Sequence, residues 1–116
     1  MRKSLTRSER VKKKPEIDAI FRNGRKFSAP QLRLLVAPNG LPLNRIVVIC
    51  VRNYGNSVQR NQIKRQIKEI WRDEKPKFTL GFDFAFVVYP GKVFDHETKK
   101  KQLTKLFKEA NVYLST

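Results

Sequence analysis

The sequence predicts an α/β sandwich, one domain over residues 1–116 with a central mixed sheet carrying three helices. Three observations point there. Residues 45–51 are apolar on both alternating sides, as in a strand at the middle of a covered sheet. Residues 58–72 place Ile63, Ile67, Ile70 and Trp71 at the i, i+4, i+7, i+8 spacing of a helix with one buried stripe. Elements alternate in the order helix, strands, helix, strand, helix, and 116 residues suffice for a single core but not two.

Taken in order, residues 1–14 form a basic arm, with Arg2, Lys3, Arg7, Arg10, Lys12, Lys13 and Lys14 against Glu9. Such an arm is either a disordered tail or a segment that orders along phosphates. Pro15 starts a short helix presenting Ile17, Ile20 and Phe21, and Asn23-Gly24 ends it near Arg22. Residues 32–37 alternate, with Leu32, Leu34 and Val36 on one side and Arg33, Leu35 and Ala37 on the other. Asn39-Gly40 turns the chain toward the strand at 45–51. Residues 82–89 form a further strand with Phe82, Phe84, Phe86 and Val88 on one face, opposite Asp83. Those rings read as core. The last helix, about 96–114, puts Leu103, Leu106, Phe107 and Ala110 on the sheet and a set of lysines outside.

The helix at 58–72 has a second side. Arg60, Lys64, Lys68 and Arg72 step by four along one line, with Asn61 and Arg65 beside it. Like charges at i, i+4 weaken a helix by a few tenths of a kcal/mol per pair, about 0.2 to 0.5. The row is either a solvated face or a surface for a polyanion, and a purely solvated face would mix both signs. Asn56 and Ser57 are the two candidate caps at its start.

Composition narrows the function. The chain carries 26 Lys plus Arg against 10 acidic residues, a formal net charge of +16. That excess opposes the compact state unless an anionic partner is present. No apolar run is long enough to span a bilayer, and the basic start is not followed by the apolar stretch of a secretory signal. One cysteine, Cys50, excludes an intrachain disulfide and reads as a buried strand thiol in a reducing, cytoplasmic compartment. With one His and one Cys, no metal-ligand spacing exists, and no nucleophile and base are paired in a motif, so no catalytic residue is assigned.

The run Gly55-Asn56-Ser57-Val58-Gln59-Arg60-Asn61-Gln62-Ile63-Lys64-Arg65 resembles the signature of the bacterial ribonuclease P protein subunit, Gly-x-Ala-Val-x-Arg-Asn-Arg-x-Lys-Arg. Ser57 stands for the usual Ala and Gln62 for the usual middle Arg. The resemblance extends more loosely through Arg10-Val11-Lys12, Phe21-Arg22-Asn23-Gly24 and Gly81-Phe82-Asp83 to the last helix. It implies a left-handed β-α-β crossover of the kind shared with ribosomal protein S5 domain 2, against the general right-handed rule. It also implies a protein that is inactive alone and assists a catalytic RNA in removing the 5′ leader of precursor tRNA, enhancing substrate and magnesium binding. Magnesium would be held through the RNA. The implied partners are that RNA and precursor tRNA, with no membrane and no protein partner required.

By the same resemblance Arg60, Asn61, Lys64 and Arg65 face the catalytic RNA, and Arg52 and the ladder residues Lys68 and Arg72 are grouped with them. Arg10, Lys12, Lys14, Ile17, Phe21, Arg33 and Leu35 line a cleft for the single-stranded leader. In that cleft Ile17, Phe21 and Leu35 match positions where the family commonly carries rings, and Phe21 alone keeps one. As residues these three read equally as ordinary core. Readings from other classes are a basic ribosome-associated or RNA-chaperone protein, and a DNA-binding regulator, for which the basic helix lacks a helix-turn-helix or dimer partner.

Overall fold

A computed structural model describes residues 9–91 and 95–114. The elements are α1 (Lys14–Asn23), β1 (Arg25–Ala29), β2 (Leu32–Pro38), β3 (Arg45–Cys50), α2 (Ser57–Glu74), β4 (Phe82–Val88) and α3 (His96–Ala110), with a 3₁₀ turn at Lys75–Lys77. The four strands form one mixed sheet in the order β1-β2-β4-β3, antiparallel except for the β3-β4 pair.

Strand alternation divides the core in two. Leu32, Leu34 and Val36 of β2, Ile46 and Val48 of β3, and Phe84 and Phe86 of β4 pack with Ile63, Ile67, Ile70 and Trp71 of α2 and Leu103, Leu106 and Phe107 of α3. On the opposite face Leu35, Ala37, Ala85 and Val87 pack with Ile20 of α1 and Val11. The larger layer is stitched by rings, with Phe78 stacked 5.1 Å from Phe84 and edge-on to Phe107 at 4.9 Å.

The hand of the β3-α2-β4 crossover follows from stereochemistry. Viewed from the α2 side with a strand running upward, an L-residue whose side chain points at the viewer turns its own N–H and C=O to the right. Ile46 is such a residue, and its carbonyl accepts from Val11 at 3.1 Å on the side away from β4. Val51 faces the other way and donates to Val88 at the end of β4. β4 therefore lies to the left of β3 with α2 in front, which is the left-handed crossover, against the rule for most parallel pairs.

Local chemistry sets the ends. Asn56 caps α2, its side chain accepting from the Gln59 N–H at 2.9 Å while Gln59 Oε1 accepts from the Asn56 N–H at 3.1 Å, a reciprocal capping box. α1 stops at Gly24 because the chain doubles back so tightly that a Cβ there would collide with the Ile20 carbonyl, which accepts the Gly24 N–H at 2.7 Å. α3 ends at Ala110, four residues short of the predicted Leu114. Asn111 adopts the left-handed conformation (φ 57°), which closes the helix and frees Val112 and Tyr113 to pack beside Phe78.

β1 is absent from the sequence expectation. It is an edge strand with only Phe27 and Ala29 turned inward, so it has no apolar alternation of the usual strength. Its pairing with β2 through the Pro30-Gln31 loop, register Ala29↔Leu32, supplies what periodicity does not. Residues 1–8 of the basic arm, with Arg2, Lys3 and Arg7, lie outside the described residues. Within 9–14, Arg10 bridges to Ile46 on the open edge of β3, and Val11 is buried.

Candidate nucleic-acid interface

The candidate surface is built on the outward side of α2. Its apolar stripe is locked into the core, Ile67, Ile70 and Trp71 being completely buried, so the cations on the other side are aimed by packing. Asn61 and Arg65 are exposed, and Arg60, Lys64, Lys68 and Arg72 are half-buried along the helix. Arg52, exposed, sits in the turn between β3 and α2.

The ladder is not uniform. Arg60 folds its guanidinium back, donating from Nε to the Gly55 carbonyl at 3.1 Å and from Nη2 to the carbonyls of Val51 at 3.1 Å and Arg52 at 2.5 Å. It thus holds the β3-α2 turn that presents Arg52. Lys68 is crowded: burial lowers its ammonium pKa from the usual lysine value, and the charges of Arg10, Lys64 and Arg72 lower it further. A polyanion laid on this surface would relieve that repulsion. Lys64 and Arg60 also face Cys50, where burial raises the thiol pKa and the two cations oppose the rise. Cys50 is only half-buried, less than its strand position predicts.

The sequence grouping puts Arg10 with the leader cleft; in the fold it bridges to Ile46 at the edge of β3, and its charge adds to the lowering of the Lys68 pKa. Beside it Val11 donates to the Ile46 carbonyl at 3.1 Å and Glu9 pairs with Lys75 at 2.8 Å.

The other predicted group is spread over α1 and the sheet face beneath it. Lys12 and Lys14 are exposed at the start of α1, Ile17 is half-buried, and Phe21 keeps 37% of its surface exposed. Arg33 is exposed on β2, on the same face as Leu35. Leu35 is a correction: it is completely buried among Ile20, Ala37 and Ala85, so it packs α1 onto the sheet and offers no atom to a ligand. Two residues that the sequence reading passed over share this face. Lys26, exposed on β1, stands opposite Leu35, and Tyr89, half-buried, follows Val87, the partner of Arg33 across β2 and β4. Tyr89 adds a ring to the side where Phe21 was the only one expected. Its signal was its even spacing from Asp83, Ala85 and Val87.

α1 is held over this face by a partly buried ion network. Arg45 donates to both carboxylate oxygens of Asp83, 2.8 Å each, and to Glu16 of α1 at 2.9 Å, while Asn39 donates to Asp83 at 2.9 Å. The bidentate fork fixes Arg45, and Arg45 fixes the helix. Among the described residues no three His, Cys, Asp or Glu side chains are grouped to hold a metal ion. No helix among them is long and apolar enough to cross a membrane.

Fold and surface together define a small α/β sandwich that presents a cationic helix outboard of a mixed sheet. Comparison with known proteins narrows this. The family model described as Ribonuclease P matches residues 5–111, and the chain belongs to that family. The ribonuclease P protein component of Petrotoga mobilis is 35% identical over 105 residues, covering 90% of this chain and 80% of that protein. That of Thermotoga maritima is 32% identical over 100 residues, with 86% and 84% covered. Among solved structures, the ribonuclease P protein of Thermotoga maritima superposes with a TM-score of 0.76 at 27% identity, covering 87% of this chain and 96% of that one. The Staphylococcus aureus protein gives 0.82 at 25% identity, with 91% and 98% covered.

Proposed function

We propose that this chain is the RNA-binding protein subunit of a ribonuclease P, assisting a catalytic RNA in removing the 5′ leader from precursor tRNA. The observation that carries the reading is the pairing of a crowded cationic helix face with a ring-bearing sheet face on the other side of the same small sheet. On the first, Arg52, Asn61, Lys64, Arg65, Lys68 and Arg72, joined by Arg10, engage the catalytic RNA through phosphates and sugar edges. On the second, Phe21 and Tyr89 stack leader bases while Lys12, Lys14, Lys26 and Arg33 neutralise its backbone. Ile17 borders them. Arg60 contributes by shaping the turn.

The protein supplies binding and electrostatics, and the RNA performs the cleavage. The donor set here does not suit magnesium, since its acidic side chains are few and those at the sheet are committed to Arg45. Magnesium is accordingly assigned to the RNA, and less of it is needed when the protein's cations offset the phosphate repulsion between that RNA and its substrate. The work is cytoplasmic, with the tRNA precursors, and calls for no protein partner.

The test is to add the purified chain to a bacterial ribonuclease P RNA and follow precursor-tRNA cleavage at low magnesium. Stimulation of the RNA together with inactivity of the nuclease-free protein alone is expected. Cleavage by the protein alone, or cofractionation with ribosomes and no effect on the RNA, would overturn the reading.

A further inference from the structure

α2 has a third face. Gln59, Gln62 and Gln66 fall at i, i+3, i+7, on the flank of the buried isoleucines opposite the Arg60-Lys64-Lys68 row. They border a cleft of about 340 Å³, at the small end of the range of roughly 300 to 1,000 Å³ for sites that hold a small molecule. Gln31 of the β1-β2 loop and Lys99 of α3 line it as well, with Ile63, Val88 and Tyr54 supplying apolar and aromatic surface. Of the residues assigned to the two surfaces above, Tyr89 alone also borders this cleft.

Its chemistry differs from theirs. In a chain of net charge +16, the lining holds four neutral amides and one ammonium. Phosphate oxygens only accept hydrogen bonds, so a phosphate site calls for donors alone. A nucleobase edge presents donors and acceptors side by side, which is what a primary amide matches. Tyr54 and the apolar side chains suit the faces of a base. Gln59 is largely committed to the capping box, which leaves Gln62, Gln66 and Gln31 for recognition. Gly91 packs so closely on Gln31 that a Cβ there would strike its amide.

We infer that this cleft, between α2, the β1-β2 loop and the start of α3, takes one unpaired nucleotide of the bound RNA and reads its base edge through Gln62, Gln66 and Gln31. The inference rests on the reading of the chain as an RNA-binding subunit. It gives a positive role to Gln62, which replaces an arginine of the family signature: at this position an amide serves a base where a guanidinium would serve a phosphate.

Two measurements test it. In the first, AMP, GMP, CMP, UMP and inorganic phosphate are titrated separately into the protein while the side-chain NH₂ signals of Gln31, Gln62 and Gln66 are followed by NMR. At least one nucleotide should shift these signals and phosphate alone should not; equal shifts with phosphate, or none with any nucleotide, would overturn the site. In the second, affinity for a ribonuclease P RNA is measured against salt for wild type, Gln66→Leu and Tyr54→Leu, with thermal melts to confirm folding. Gln66→Leu should weaken binding by about tenfold, the scale of one lost base-edge contact, and leave the salt slope unchanged because no phosphate contact is lost. If the wild-type protein binds the RNA and both folded variants bind it equally well, the cleft is not a nucleotide site. If the wild type itself fails to bind, the functional reading falls, and the nucleotide titration still decides the cleft.

Discussion

Arg60 and Val51 are joined by a hydrogen bond from a helix guanidinium to a strand-end carbonyl, 3.1 Å long, across nine residues of chain. The first rung of the cation ladder is therefore a structural tie. Arg60→Ala should loosen the 51–55 turn and lower stability by about 1.5 to 3 kcal/mol, the range for hydrogen bonds to a charged group. Lys64→Ala should leave stability nearly unchanged. Urea melts of the two variants side by side check this, and equal stabilities would return Arg60 to the solvent-facing row.

Lys64→Ala and Arg65→Ala should instead reveal themselves in RNA binding. Each lost phosphate contact should flatten the slope of log K against log salt by about 0.7 to 0.9. Ile67→Ala, on the buried side of the same helix, should cost about 2 to 5 kcal/mol of stability. A salt titration alongside thermal melts separates the two sides. Cation variants with wild-type affinity and slope would remove this face from the interface.

Phe21→Ala should weaken binding of precursor tRNA more than of mature tRNA, by up to about 1 to 3 kcal/mol if a base stacks on the ring. Its exposure of 37% makes a folding defect a poor explanation. Tyr89→Ala should act in the same direction. Equal weakening for the two tRNAs would assign both rings to packing.

The crowding at Lys68 makes stability depend on pH in a defined direction. The folded-state pKa lies below the unfolded value of 10.5, so the folded protein binds the proton less tightly and the charged form opposes folding. That penalty is fully present below the depressed folded value, shrinks as pH rises through it, and is gone above 10.5. Lys68→Met should therefore melt higher than wild type at pH 7, with the difference fading toward pH 10.5. A difference that grows with pH would contradict the assignment.

Arg45→Met should be among the most damaging single changes. It leaves Asp83, with only 7% of its side chain exposed, as a buried charge without its partner, a loss of about 3 to 5 kcal/mol. The Arg45→Met, Asp83→Leu double variant should recover part of that loss, because neither charge is then stranded. Denaturant melts of both variants measure the coupling. Additive effects would show that the pair does not act as a unit.

The legible parts of this protein were those written in local pattern. α2 carries its stripe, its cap and its cations in consecutive residues, so its bounds came within two residues at each end. β3 and β4 were plain because both strands are covered. β1 was not, because an edge strand with one half-buried face leaves only Phe27 and Ala29 as signal, and its existence depends on a hairpin partner. The site was legible to the level of faces. Spacing by four gives the direction in which Arg60 leaves the helix but not the rotamer that turns it onto Val51. Likewise, alternation put Leu35 and Arg33 on one face without revealing that α1 lies over the first and not the second.

A further consequence follows from the bond between the Val11 N–H and the Ile46 carbonyl. β3 is the last strand of the sheet on its side, and an open strand that is apolar on both faces is a template on which another chain can add. Arg10 and Val11 occupy that template with a residue that repels further copies and one that seals the apolar groove. Deleting residues 1–13 should thus produce a protein that self-associates, seen by light scattering, at concentrations where the full chain stays dispersed. That outcome would make Arg10 and Val11 the pair that keeps the sheet from growing into its neighbours.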